Sequence, residues 1–125
     1  MSFWWLMFVF NLLIPLVMIV GGIAMYKRSP KNINRIYGYR TARSMKNIDT
    51  WTFAHRYFGR IWLITGIIIA LPTVLVQIPF LNSSDDVIGN VGSIIMTVQI
   101  IAMAIPIIPT ETALKKTFFD DGTRK

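Results

Sequence analysis

Three long stretches without a charged side chain divide this sequence: Phe3–Met25, Ile61–Leu81 and Val87–Pro109 contain no Asp, Glu, Lys, Arg or His. Each is long enough to cross a bilayer, because about 20 apolar residues rising 1.5 Å apiece span the ~30 Å hydrocarbon layer. A buried helix of a water-soluble domain is usually shorter and keeps a polar stripe. The pattern predicts an all-α integral membrane protein: a single membrane domain over residues 1–125, with three transmembrane helices at about 3–25, 61–81 and 87–109. A cleaved signal peptide would need a basic start and a shorter apolar core. The charges here follow the first stretch, so it reads as a retained span.

Within the spans, the exceptions to apolarity are few and specific. Asn11 needs a hydrogen-bonding partner on another helix, with Gln77 and Gln99 as the candidates. Pro15 predicts a kink, since proline removes a backbone donor. Gly66 with Ala70, and Gly89 with Ser93, have the small-xxx-small spacing that allows close helix contact. The connection Asn82–Asp86 is short enough to make the second and third spans an antiparallel hairpin. Pro106 and Pro109 distort the far end of the third span. Beyond it, Leu114 and Phe118 lie four apart beside Lys115 and Lys116, which predicts a short interfacial C-terminal helix on the membrane surface.

Between the first two spans the pattern changes. Ser29–Pro30 is a helix-start signal, which predicts a short helix over 30–37 ending at Gly38. Tyr39–Asn47 lacks a period and reads as an ordered loop. Asp49 or Thr50 then caps a helix that runs into the second span. On it Trp51, His55, Phe58 and Trp62 share one face, while Arg56 and Arg60 form a neighbouring cationic ridge.

Composition agrees with a membrane protein: 54% of the 125 residues are hydrophobic and 15% charged, with a mean hydropathy of +0.52. The net charge of +7 would suggest nucleic acid in a soluble protein. Here it reads first as topology and anionic lipid, with no direct nucleic-acid contact. Nine of the thirteen Lys and Arg fall in residues 26–60 and the other four follow the third span, whereas the second connection carries only Asp85 and Asp86. Basic loops stay cytoplasmic. The expected topology therefore has the amino end outside the cell and both the 26–60 loop and the carboxyl end on the cytoplasmic side of the membrane. Trp4, Trp5 and Phe80 then belong to the outer interface, and Tyr26 and Trp62 to the inner one.

The catalytic inventory is thin. One His and no Cys are present, and no acids have metal-ligand or glycosidase spacing. Ser44 as nucleophile with His55 as base lacks a supporting motif, and Asp49 with His55 is two ligands short of a metal site. No enzyme, metal or cofactor is expected. An ion-coupled pump is disfavoured too, since the spans hold no ionisable group.

The segment Tyr37–Trp62 is more particular than topology requires. It reads either as arginines on phosphates with interfacial aromatic anchors, or as a loop folded back on the helix starting at Asp49. In the second reading Arg40 caps carbonyls or pairs with Asp49. At Gly38-Tyr39-Arg40-Thr41, then Ser44, Asn47, Trp51, Ala54 and Gly59, followed by the three-span layout, the chain resembles the SdpI family of bacterial membrane immunity proteins. It departs at His55, where Asn is common in that family, and looks like the short form that lacks an extra membrane domain. The resemblance implies a bacterial cell membrane as the location, and protection against a secreted, membrane-active hydrophobic peptide toxin. It also implies signalling through a cytoplasmic transcriptional repressor held at the membrane. The motif residues, with His55 and Arg56, are the expected partner-binding positions, and Asn11, Gln77 and Gln99 the intramembrane polar ones. A second reading is a membrane sensor or scaffold that binds anionic lipid or a soluble regulator through the basic loop. A third, a small transporter subunit, requires a homo-oligomer, because three helices barely enclose a pathway.

Overall fold

The computed structural model of the protein describes residues 2–34 and 36–125. Its helices are α1 (Ser2–Lys27), α2 (Ile48–Gln77), α3 (Asp85–Ala104) and α4 (Ile107–Thr117), with a single 3₁₀ turn at Ile78–Phe80. Three helical stretches are long and apolar enough to cross a membrane: Ser2–Lys27, Ile48–Phe80 and Asp85–Thr117. The last combines α3 and α4, which meet at a joint formed by Ile105 and Pro106. The Thr110 hydroxyl donates to Pro106 O at 2.8 Å across it. The only extended pairing among the described residues is an isolated bridge between Phe118 and Arg124.

Although a short turn joins α2 to α3, each packs more extensively on α1 than on the other. Pro15 lies buried inside α1 without ending it. The closest approach is glycine to glycine. A Cβ on Gly22 would lie 2.7 Å from Gly59 O and 2.6 Å from Leu63 N, and one on Gly59 would lie 2.7 Å from both Gly22 O and Tyr26 N. No methyl group fits between these backbones. Gly66 continues the seam against Pro15 and Met18. On α3 the expected Gly89 and Ser93 pair gives way to Gly92, which is buried against Met7 and Asn11, while Ser93 is exposed. The contact face of α3 is thus set one residue away from the expected one.

Asn11, Thr73, Gln77 and Gln99 meet in one buried layer. Asn11 Nδ2 donates to Gln77 Oε1 at 3.1 Å, and Gln99 Nε2 donates to Asn11 O at 2.8 Å and to Thr73 Oγ1 at 3.0 Å. Gln77 Nε2 donates to Thr73 O at 2.7 Å. Interhelical hydrogen bonds of this kind contribute about 0.6–2 kcal/mol each in a membrane. Trp4 differs from expectation: it is 6% exposed against 54% for Trp5, because its indole N–H turns inward to Gln77 O at 2.9 Å. It joins α1 to the carbonyl where α2 passes into the 3₁₀ turn.

The segment after α1 also departs from the sequence reading. The described residues of 30–37 form bends rather than a helix, and Arg35 lies outside the described residues. The Ser29 hydroxyl donates backwards to Met25 O at 2.9 Å, so it closes α1 instead of opening a new helix. Asn34 Oδ1 then accepts the N–H groups of Ile36 and Tyr37, each at 2.9 Å, in a side-chain-made turn that competes with helix formation. At the carboxyl end, Leu114 and Phe118 face Tyr39, Ala54 and Phe58 in a shared core, so the apolar side of α4 packs onto protein.

The glycine crossing generates a graded prediction. Gly59→Ala forces backbone atoms apart and should sharply lower membrane abundance and thermal stability in detergent. Gly89→Ala, where the new Cβ meets only Phe3 at 3.7 Å, should leave both close to wild type. Equal behaviour of the two variants would contradict the crossing.

Candidate functional site

The motif residues converge where α2 begins. The expected caps, Asp49 and Thr50, are both displaced by Asn47. Its side-chain oxygen accepts Thr50 N at 2.9 Å, while Thr50 Oγ1 accepts Asn47 N at 3.1 Å. This reciprocal arrangement satisfies two of the otherwise unpaired N–H groups at the helix start. The Asn47 side chain simultaneously donates to Gly122 O at 2.7 Å, which ties the carboxyl-terminal tail to α2. Asp49 sits in the first helical turn, where its charge complements the helix dipole. Its carboxylate is held by Arg124 at 2.6 and 3.2 Å, so the tail supplies the partner expected from Arg40.

Upstream of the cap, Tyr39–Ser44 is folded by its own side chains. The fully buried Ser44 hydroxyl accepts Thr41 N at 2.9 Å and lies 3.0 Å from both Tyr39 O and Thr41 O. In return, Thr41 Oγ1 accepts Ser44 N at 3.2 Å. Thr50 Oγ1 lies 3.0 Å from Ser44 O, linking loop to helix. Gly38 adopts φ +105°, and a Cβ there would collide with His55 Nε2. Glycine is therefore required for both conformation and space.

Trp51 and His55 fasten this loop from below. Trp51 is fully buried and its indole donates to Pro30 O at 2.9 Å, while its ring lies 4.2 Å from that of His55. His55 Nε2 accepts the Tyr39 backbone N–H at 2.9 Å, and its Nδ1 lies 2.8 Å from Trp51 O. A ring that accepts at Nε2 and faces a carbonyl at Nδ1 is a neutral imidazole with its proton on Nδ1. Ser44 and His55 are thus both committed to holding backbone.

Glu111 on α4 completes the constellation, and the sequence reading passed over it. It accepts the Tyr39 hydroxyl at 2.9 Å and the Thr41 hydroxyl at 3.2 Å. Burial, together with the Glu111 hydrogen bond and charge, holds the Tyr39 phenol well above its ordinary pKa, so it stays a donor. The available signal was isolation: Glu111 is the sole acid between Asp86 and Asp120. Arg56 and Arg60 are exposed on a different face of α2 and stay apart from this cluster.

Beneath the loop lies a cavity of about 530 Å³. Met25, Phe58, Trp62 and Ile107 line its apolar part, and Arg28, Arg40 and Thr41 its polar part. Trp62 spans its base, donating to Met103 O at 3.0 Å while its ring lies over Gly21. Of the expected partner-binding positions, Gly38, Tyr39, Arg40 and Thr41 border the cavity, whereas Ser44, Asn47, Trp51 and His55 hold those four in place.

The His55 geometry predicts a pH dependence with a definite sign. His55 precedes the apolar stretch that starts at Ile61, and burial lowers its pKa, opposed by the Trp51 carbonyl. Below about pH 6.5 the unfolded ring binds a proton that the folded ring does not, so folding stability falls as pH drops and is flat above that range. A protonated Nε2 would also lose the Tyr39 N–H bond. Thermal unfolding in detergent should show a lower Tm at pH 5.5 than at pH 7.5 in wild type, and a smaller difference in His55→Asn. The same difference in both proteins would contradict the assignment.

The model of the SdpI/YfhL protein family matches residues 31–110, which include the loop, the start of α2 and the two following spans. The uncharacterised protein YfhL of Bacillus subtilis (strain 168) is 43% identical over 54 residues, covering 43% of this chain and 49% of that protein. The chain thus matches about half the length of that curated relative. No solved structure matches. With the motif loop, its supporting helix and the second and third spans inside the matched region, this chain belongs to the SdpI/YfhL family of membrane proteins.

Proposed function

We propose that this protein is a membrane immunity protein that protects its cell from a secreted, membrane-active hydrophobic peptide by binding it stoichiometrically, without catalysis. The observation that carries the reading is the internal fastening of the motif: Tyr39, Thr41, Ser44, Trp51 and His55 all spend their polar atoms on one loop conformation. A surface acting only through bulk charge needs no such construction. In this reading the 26–60 loop and the tail face the cytoplasm, following the distribution of basic residues, and the turn at Asp85 and Asp86 faces outward. The peptide would lie from within the bilayer against the apolar cleft of about 270 Å³ between α2 and α3, lined by Ile68, Pro72, Val76, Ile94 and Val98. Thr73 and Gln99 also border that cleft. Such a site suits an apolar segment approaching through lipid.

A second role, signalling to a soluble cytoplasmic regulator such as a transcriptional repressor, is favoured by one further observation. The tail is folded onto the start of α2 through Gly122–Asn47 and Arg124–Asp49, and Glu111 joins the loop to α4, so a partner would meet these segments held together.

Expression in a strain sensitive to a sporulation-delaying type of peptide toxin tests the main reading. The protein should raise the tolerated toxin concentration at least tenfold. No gain in survival would count against immunity. At matched abundance, Arg40→Ala or Trp51→Ala should remove most of that protection, and Lys27→Ala or Lys31→Ala little of it. Equal losses from all four would mean that the loop works by charge alone.

A further inference from the structure

The cavity under the motif loop has a chemistry that neither topology nor the immunity reading demands. It lies where α1 ends and where α2 enters its apolar stretch: Ala24 and Met25 line it from α1, Arg28 from just beyond the end of that helix, and Phe58 and Trp62 from α2. A cavity at this level meets acyl chains on its apolar side and the head-group layer on the other. Among the described residues its lining contains two guanidinium groups, Arg28 and Arg40, the hydroxyl residues Tyr37, Tyr39 and Thr41, and no carboxylate. Glu111, which reaches the loop from α4, is engaged by the Tyr39 and Thr41 hydroxyls and is not a lining residue.

We infer that this cavity holds the head group of one anionic phospholipid, with the phosphate received by Arg28 and Arg40 and the first methylenes lying along Met25, Phe58 and Ile107. Charge complementarity selects the occupant. Guanidinium forks match phosphate oxygens in planar, paired geometry, and a lining with an excess of positive charge favours a head group of net negative charge over a neutral one. Size agrees: about 530 Å³ falls within the ~300–1,000 Å³ typical of small-ligand sites, enough for a head group and the start of its chains. The dipole at the end of α1 opposes an anion weakly, which is why two cations rather than one are needed at the rim. Because the motif loop is the roof, an occupied cavity would brace Gly38–Thr41 from below. The inference goes beyond the immunity reading and stands without it, since it requires only that the chain sit in a bilayer.

Native mass spectrometry of the detergent-solubilised full chain tests this directly, using phosphatidylglycerol and phosphatidylcholine of identical acyl composition. One phosphatidylglycerol should be retained with at least tenfold preference. Arg28→Gln with Arg40→Gln should bring the two lipids close to parity, whereas Lys115→Gln with Lys116→Gln, which removes equal charge from α4, should leave the preference intact. Ala24→Phe fills the cavity without altering charge and should abolish retention while circular dichroism shows an unchanged fold. This variant carries the test if the double arginine variant does not fold. Equal retention of both lipids, equal loss from the two double variants, or retention in Ala24→Phe would overturn the inference. Displacement of the lipid by millimolar inorganic phosphate would also overturn it, by revealing a site for the free anion.

Discussion

Where α1 crosses α2, Gly22 and Gly59 face each other with no side chain between two backbones, and the remaining geometry follows from that contact. Within a bilayer the lipid chains are as apolar as the helix surfaces, so burying them gains little, and close van der Waals packing must hold the helices together. The crossing lies one helical turn beyond His55, so it also fixes the height and rotation of the segment that carries Trp51, His55 and Phe58. Any side chain at the crossing would tilt that segment away from α1 and from Pro30, whose carbonyl Trp51 must reach.

On that base, the polar chemistry works almost wholly as positioning. Ser44, Thr41, Thr50 and Asn47 close a chain of side-chain to backbone bonds, each worth about 1 kcal/mol net, and His55 adds the bond to Tyr39 that keeps the loop against the helix. Glu111 then links the same loop to α4, across the proline joint. The loop is consequently tied to two helices at once, α2 through His55 and α4 through Glu111, while Trp51 holds the segment after α1 through Pro30. A site with such attachments is sensitive to anything that shifts one helix against another.

The three spans, the pairing of Asn11 with Gln77 and Gln99, and the shared face of Trp51, His55 and Phe58 were all legible in the sequence. Uninterrupted apolarity and helical spacing are local signals that tertiary context rarely reverses. The segment after α1 was not legible. Ser29–Pro30 has the chemistry of a helix start, yet the Ser29 hydroxyl serves the preceding helix equally well, and the choice is made by Asn34 and Trp51, which lie further along the chain. The helix cap was misplaced for a related reason, since Asn47, Asp49 and Thr50 are all good caps and only the tail, by engaging Asn47 and Asp49, distinguishes them. Glu111 and the inward turn of Trp4 required three dimensions, because their partners are more than 70 residues away. The resemblance grouped these residues in one motif, but did not reveal their division into four that border a cavity and four that hold those in place.

The central claim is that the motif loop is a fixed roof fastened across α4, and the absence of native cysteines makes it directly measurable. Thr41→Cys and Glu111→Cys, introduced together and treated in native membranes with a short bis-maleimide, should form an intramolecular crosslink rapidly and almost completely. A control pair, Tyr37→Cys with Glu111→Cys, should react far more slowly. Crosslinking of the first pair no faster than the control would mean that the loop does not rest on α4, and the proposed site would not exist as described.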